Sequence, residues 1–434
     1  MMRIPEHGMD RETLFEKMES YRAEDVDWKK GRTFGYVYDA GEAAYEVCKE
    51  AYLRFLSENA LDFTVYPSLL RLENDIIAMA ASHLGGDDRV AGTFTSGGTE
   101  SIVLAVKSAR EWARAERPHI THPEMVLPVT AHAAHHKAAR YLGIEVIEVD
   151  VDPDTYKADP DAIRAAITEN TILLVASAPS YAHGVVDPIA EIGQIALAHL
   201  PYFRRLGAPI PDFDLRVPGV TSISMDLHKY GFAAKGASVV LYRDKAMRTH
   251  QFFSCSRWTG YTVINPTVQS SRTGGPLAAA WAVLNFIGDD GYLEIARGLR
   301  DATLQLAEGV AAIDGLELMA PPEMCLFAFS SDTVNVFHLA DEMGSRGWYI
   351  QPQLRYRDSQ ENIHLSVNPG NIAHVEPFLA DLRASVEAVR GLPSGQLAAI
   401  AGQLTDLVEA GMSEAEFANL MAMVGVGAGE VPGK

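Results

Sequence analysis

The stretch MVLPVTAHAAHHKAARYLGIEVIEV, residues 125–149, reads as strand, helix, strand. MVLPV at 125–129 is a short continuous apolar run, and His132 to Leu142 carries apolar residues at helical spacing. IEVIEV at 144–149 returns to β-branched residues. The same rhythm extends outward. A helix over Pro160 to Thr168 precedes a strand, TILLVAS at 171–177, and a helix over Ile189 to His199 follows it. TSISM at 221–225 and ASVVLY at 237–242 are further strands. Short β-rich runs separated by helices of this length define an α/β layered domain with a mostly parallel sheet.

Upstream, Glu42 to Leu56 and Leu70 to Leu84 have the helical period. From about residue 290 come a long helix (Tyr292 to Ile313), strand-like pieces near 325–339 and 362–367, and a helix at His374 to Arg390. These indicate a smaller α+β domain. The last forty residues read as helical, with Ser413 and Glu416 at capping-box spacing. The expected organisation is a helical segment over 1–60, a large α/β domain over 61–290 and a small domain over 291–434. The rhythm breaks once. After His199 the chain runs straight into LPYFRRLGAPIPDFDLRVPG at 200–219, where a strand is due and none is written.

The chain has 434 residues, 47% hydrophobic and 22% charged, which is ordinary for a globular protein and excludes disorder. Lys plus Arg total 37 against 57 Asp plus Glu, a formal charge of −20. So acidic a balance argues against nucleic acid or anionic membrane as partner, and leaves room for a small anionic ligand in a locally positive pocket. Cys48, Cys255 and Cys325 lie far apart with no CxxC pair, which indicates a reducing cytoplasm and no thiolate metal site. No apolar run approaches the ~20 residues of a membrane span. Residues 1–21 lack the apolar segment of a signal peptide. A cytoplasmic protein is expected.

Three segments carry chemistry. Thr95-Ser96-Gly97-Gly98-Thr99-Glu100-Ser101 opens a helical run; its glycines let backbone N–H groups approach an anion, and the helix start adds its dipole. A plain loop with Thr99 as N-cap is the competing reading. The spacing fits neither a Walker loop nor a dinucleotide fingerprint, so a mononucleotide or monophosphate cofactor is favoured. Ser224-Met225-Asp226-Leu227-His228-Lys229-Tyr230-Gly231 ends a strand with a lysine able to form a Schiff base, although taken alone it also reads as an exposed loop lysine. His132 ends a strand at the same sheet edge and could stack on a flat ring. His132 and His136 have helical i, i+4 spacing, but no third ligand matches and no metal site is expected.

Together these segments resemble the pyridoxal-phosphate-dependent group II decarboxylases, most closely their sphingosine-1-phosphate lyase branch. The resemblance runs from GRTFGYVYDAGE at 31–42 to about Arg390. Its matches are SGGTES, AHAAHHKAA, SAPSYAHGVVDPI, FDLRVPGVTSIS-D-HKYG, AKGASVVLYRD and SRTGG, in the family's order. It implies the type I aminotransferase fold, pyridoxal 5'-phosphate as cofactor, and a homodimer with a shared active site. It also implies a small phosphorylated amino substrate cleaved to a fatty aldehyde and phosphoethanolamine. An amino-acid decarboxylase of the same group is the alternative.

Carried over residue by residue, Lys229 would take the cofactor as a Schiff base and His132 would stack on its ring. Gly98, Thr99 and His228 would hold its phosphate, with Ser271 of SRTGG reaching in from the other subunit. Tyr181 would lie near the reacting carbon, and Lys235 would receive the substrate's phosphate. Relatives also carry a strand and glycine-rich loop, H-V-D-A-C-x-G-G-F, where this chain passes directly from His199 to Leu200. That segment holds the aspartate that pairs with the pyridine nitrogen. Its loss would leave two open sheet edges and cripple catalysis while cofactor still binds. Asp212, Asp214 and Asp226 are the nearest carboxylates in sequence, and none is expected to replace it.

Overall fold

The computed structural model describes residues 4–192, 200–260 and 262–391, with the isolated positions 412 and 416. The expected C-terminal helix, with its cap at Ser413, falls outside them, as does the expected helix from Ile189 to His199 beyond Ile192. Helices α1 (Arg11–Tyr21), α2 (Glu42–Arg54) and α3 (Pro67–His83) lead into β1 (Ala91–Thr95) and α4 (Gly98–Glu116). Next come β2 (Glu124–Pro128), α5 (Ala134–Leu142), β3 (Glu145–Val149), α6 (Pro160–Ala166) and β4 (Thr171–Leu174). Short helices α7 (Ile189–Ile192) and α8 (Leu200–Arg205) precede β5 (Ser222–Met225), β6 (Ser238–Tyr242) and α9 (Lys245–Thr249). A hairpin, β7 (Phe253–Cys255) and β8 (Val263–Asn265), leads to α10 (Gly274–Ala311). The chain continues through β9 (Glu317–Leu318), β10 (Leu326–Ser330), α11 (Val336–Ser345), β11 (Gln351–Gln353), β12 (Asn362–Ser366) and α12 (Val375–Val389).

The central sheet is split. One half has the order β3-β2-β4, all parallel; the other has β1-β6-β5, with β6 antiparallel to both neighbours. Helix α4 packs on β4 of the first half and on β1, β5 and β6 of the second, so one helix spans both. Its Ile102, Leu104, Val106, Ala109 and Ala113 supply the buried stripe at helical spacing. Among the described residues no strand pairs with the free edge of β4 or with that of β5. This is the place where the strand–helix rhythm fails in the sequence. β4 is only half-buried at every position, as an edge strand would be, whereas β6 is buried along its length and β2 from Met125 to Pro128. Val175 extends the pairing of β4 by donating its N–H to the Val126 carbonyl.

A second sheet, β11-β12-β10-β9, is antiparallel and backs onto α10 and α11, with α12 packed on both helices. Several expected boundaries move. Residues 325–339 are strand only to Ser330; the Asn335 side chain then accepts from the N–H groups of Phe337 and His338 and starts α11, so Val336 to Leu339 are helical. The helix expected at His132 begins at Ala134, leaving His132 in the turn. The helix expected from Leu70 starts earlier, with Pro67 in its first turn. The expected Tyr292 to Ile313 helix is the second part of α10, which is broken at Gly288 (φ 66°).

Candidate active site

A cavity of about 250 Å³ opens where the strand ends of both half-sheets meet α4. Gly98, Thr99, His132, Tyr181, His228 and Lys229, all singled out from the sequence, line it together. Tyr38, His135, Ser177, Ser224, Asp226, Tyr230 and Ser366 complete most of the wall.

The anion-binding end is the start of α4. Gly97 precedes the helix with φ 152°, and a Cβ on Gly98 would lie 2.6 Å from Asp226 Oδ1. The close approach therefore demands glycine at 98 and leaves a cradle beside unpaired N–H groups of the helix start. Glu100 fixes this loop. Its Oε2 accepts the Ser96 N–H at 2.7 Å and the Ser96 hydroxyl at 2.8 Å, while Oε1 accepts the Val268 N–H at 2.8 Å. One buried carboxylate thus ties the cradle to the loop that leads to Ser271.

Lys229 follows β5 in a tight turn, where its carbonyl accepts the Phe232 N–H and its N–H reaches the Asp226 carbonyl. Its Nζ lies 2.9 Å from Asp226 Oδ2. Burial alone would raise the Asp226 carboxyl, but the charges of Lys229 and His228 hold it below the usual carboxylate range. His228 is pinned by its own N–H and by Nδ1, both bonded to the Ala237 carbonyl, and burial pushes its imidazole down. His132 Nδ1 accepts the Ala134 N–H at 3.1 Å, so that nitrogen carries no proton. Burial, reinforced by the Lys229 ammonium, lowers its imidazole against the pull of Asp226. Behind it His135 is fully buried, with Nδ1 3.0 Å from the His132 carbonyl and its imidazole pushed down to about 4.

Tyr181 donates its hydroxyl to Gln351 Oε1 at 2.8 Å and packs on the His364 ring, centroids 4.4 Å apart. His364 Nε2 lies 2.9 Å from Ser366 Oγ, and Ser366 also hydrogen-bonds Tyr38. Asp187 sets the height of this wall, its oxygens accepting the N–H groups of Ser177 at 2.7 Å and Ala158 at 2.9 Å.

Two expected site residues lie elsewhere. Lys235 lines an adjoining cavity of about 450 Å³, which meets the first at Tyr38 and His228 and has aromatic walls from Trp28, Tyr36, Tyr45, Tyr52 and Phe232. Its Nζ donates to the Tyr36 carbonyl at 2.9 Å. Burial, with a contribution from Lys229, lowers its ammonium pKa. Ser271 is exposed and outside both cavities; its neighbour Arg272 is buried in a two-pronged pair with Glu73, at 2.7 and 2.9 Å. Glu100, Gln351, His364 and Ser366 escaped the sequence reading. Only Glu100 carried a local signal, since it sits inside SGGTES.

These residues suit pyridoxal phosphate at three of its four handles. The Gly98 cradle at the helix start fits a phosphate, Lys229 fits its aldehyde and His132 a ring face. For the ring nitrogen the cavity wall offers the Ser177 and Ser224 hydroxyls rather than a second carboxylate.

A type I fold with a lysine at a strand end facing an anion cradle defines a pyridoxal-phosphate-dependent enzyme. Residues 80–341 match the aminotransferase class-V model. The chain is 39% identical to the sphingosine-1-phosphate lyase of Arabidopsis thaliana across 94% of this chain and 78% of that one. It is 36% identical to that of Dictyostelium discoideum, across 89% and 74%. The solved sphingosine-1-phosphate lyase of Burkholderia pseudomallei superposes with a TM-score of 0.85 at 36% identity, covering 94% of this chain and 97% of the other. A glutamate decarboxylase of Lactobacillus brevis shares the fold at 18% identity, with a TM-score of 0.79 over 91% and 96%. The chain belongs to the sphingosine-1-phosphate lyase family of pyridoxal-phosphate-dependent enzymes.

Proposed function

We propose that the chain is a cytoplasmic, homodimeric carbon–carbon lyase that cleaves phosphorylated sphingoid bases to a fatty aldehyde and phosphoethanolamine. The observation that carries this reading is the placement of Lys229 opposite the Gly98 cradle, with Lys235 in the cavity next door. Residues 61–290 would hold the cofactor and 291–434 would form the smaller domain. Gly98, Thr99 and His228 would bind the cofactor phosphate, Lys229 its aldehyde carbon, and His132 one face of its ring. Ser271, exposed and anchored by Arg272, would serve the partner's site. The cofactor supplies an electron-accepting ring conjugated to the substrate's amino group.

The chain's own residues bind the substrate and orient the bond. Lys235, exposed on the wall of the adjoining cavity, would meet the substrate phosphate with its ammonium. The aromatic walls of its cavity would shelter a hydrocarbon chain. Because Tyr181 donates its hydroxyl hydrogen to Gln351, its oxygen is free to accept a hydrogen bond from the substrate hydroxyl at the bond to be cleaved and so to orient it.

The purified chain given pyridoxal phosphate should acquire visible absorbance that borohydride bleaches and Lys229→Ala abolishes. Phosphoethanolamine should be released from a phosphorylated sphingoid base, with Lys235→Gln raising KM far more than it lowers kcat. Carbon dioxide release from free amino acids, without aldehyde formation, would refute the lyase reading.

A further inference from the structure

Pyridine nitrogen is a weak base, and in a buried site it stays protonated only where an ionised partner offsets desolvation. Among the described residues lining the cavity the only carboxylate is Asp226. That carboxylate is committed elsewhere: Oδ2 lies 2.9 Å from Lys229 Nζ, and both oxygens lie within 2.7 Å of the position a Gly98 Cβ would take. The cofactor's phosphate arm hangs from the ring carbon next to its aldehyde carbon, and the ring nitrogen lies across the ring from that aldehyde. A group wedged between the lysine and the phosphate cradle therefore serves those two handles and not the nitrogen.

Among the described residues no other acid lines the wall. Asp187 stands behind Ser177 with its oxygens on backbone N–H groups. Residues 193–199, which lie between the two half-sheets in sequence, read Gly-Gln-Ile-Ala-Leu-Ala-His and contain no aspartate or glutamate. The remaining titratable groups on the wall are Tyr38, His132, His135, Tyr181, His228, Lys229 and Tyr230. Each is neutral or cationic at neutral pH, and cations discourage protonation of a neighbouring base. Ser177 and Ser224, from the ends of the strands on either side of the split, offer hydroxyls that can donate to an unprotonated nitrogen.

We infer that this chain holds its cofactor with the ring nitrogen unprotonated, facing hydroxyls instead of a carboxylate. The inference rests on the proposed cofactor site and concerns only the nitrogen. It makes the ring a weaker electron acceptor, so bond cleavage becomes the slow step.

The test uses the full chain loaded with pyridoxal phosphate labelled with nitrogen-15 in the ring. The expected resonance is that of a neutral pyridine at neutral pH. A pyridinium resonance, displaced far upfield, would overturn the inference while leaving the cofactor site standing. Failure to take up cofactor at all, read from the visible absorbance, would overturn both. A second readout is the affinity for the carbocyclic analogue in which a C–H replaces the ring nitrogen. It should bind about 2- to 10-fold more weakly than the cofactor, the loss of a neutral hydrogen bond, whereas loss of a charge-assisted bond at the nitrogen would cost roughly 10- to 100-fold.

Discussion

Replacing Glu100 by glutamine tests whether the anion cradle is held in place by one carboxylate. The side chain accepts three short bonds, from the Ser96 N–H (2.7 Å), the Ser96 hydroxyl (2.8 Å) and the Val268 N–H (2.8 Å). Glutamine keeps one acceptor oxygen and turns an NH₂ group on the donors at the other, so one loop is released whichever way the amide faces. A hydrogen bond to a charged group contributes about 1.5–3 kcal/mol, and a buried donor left unpaired costs about 1–3 kcal/mol more. The expected loss of stability is therefore roughly 2.5–6 kcal/mol, read as a lower urea midpoint at unchanged m. If the released loop is Ser96–Gly98, the cradle loses one charge-assisted bond to phosphate, and the Kd for pyridoxal phosphate rises about 10- to 100-fold. Titration at a urea-free pH of 7.5, followed by the visible absorbance of the Lys229 adduct, measures it. A Kd within about threefold of the parent, in a variant that has lost the expected stability, would show that the cradle does not depend on Glu100.

Three further outcomes follow from the same geometry. Gly98→Ala should lower cofactor affinity at least about tenfold with the far-ultraviolet spectrum unchanged, because its methyl would meet the Asp226 carboxylate at 2.6 Å. Arg272→Lys should destabilise by roughly 2–3 kcal/mol in urea, since lysine cannot keep both prongs on Glu73 and the bond to the Phe94 carbonyl. Acid should unfold the chain between pH 6.5 and 4. Burial holds His135, His183 and His364 neutral down to about 4, so the unfolded chain binds more protons in that window and stability falls as pH drops through it. Each histidine contributes about 3 kcal/mol of this loss. Asp187, raised to about 6 by burial, works the other way: its destabilising effect is complete above 6 and is relieved as pH falls from there toward 3.8, offsetting about one histidine. His364→Gln should flatten the urea-midpoint profile over pH 4 to 6.5; an unchanged slope would refute the assignment.

What could be read from the sequence divides along the range of the interactions. β2 and β6 were legible because burial on both faces writes a continuous apolar run, and the half-buried β3 and β4 through their β-branched residues. Lys229 and the Gly98 cradle were legible because each lies in a contiguous motif. Gln351, His364 and Ser366 were not, because they reach Tyr181 and Tyr38 from strands whose own pattern says only that one face is buried. The misreading of Val336 to Leu339 has a local cause. Val-Phe-His-Leu following the strand Leu326–Ser330 continues a β-rich composition, and the Asn335 cap that decides for helix is one side chain long. The helix from Gly274 to the break at Gly288 went unread, whereas the helix beyond that break lies where the period from Tyr292 to Ile313 places it.

The split sheet explains why a cofactor seat can outlast the loss of a strand. Its walls depend less on the ladder across the gap than on acids that spend their oxygens on backbone N–H groups and loops. Asp187 holds Ser177 to Ala158, Glu100 holds Ser96 to Val268, and Glu73 holds Phe94 to Arg272. Glu323 holds Val186 and pairs with Lys157. Each of these clamps is anchored on an element that remains, and α4 packs on both half-sheets above them. Among the described residues the fold therefore lacks a ladder across the gap and keeps the loops. What a strand between β4 and β5 would have contributed, and no clamp supplies, is a charged side chain at the floor of the cavity. Restoring the gap with a strand that carries alanine in place of its aspartate should raise stability without altering the ring-nitrogen resonance. Restoring it with the aspartate should change both, and a resonance that moved equally in the two variants would locate the effect in the backbone and not in the charge.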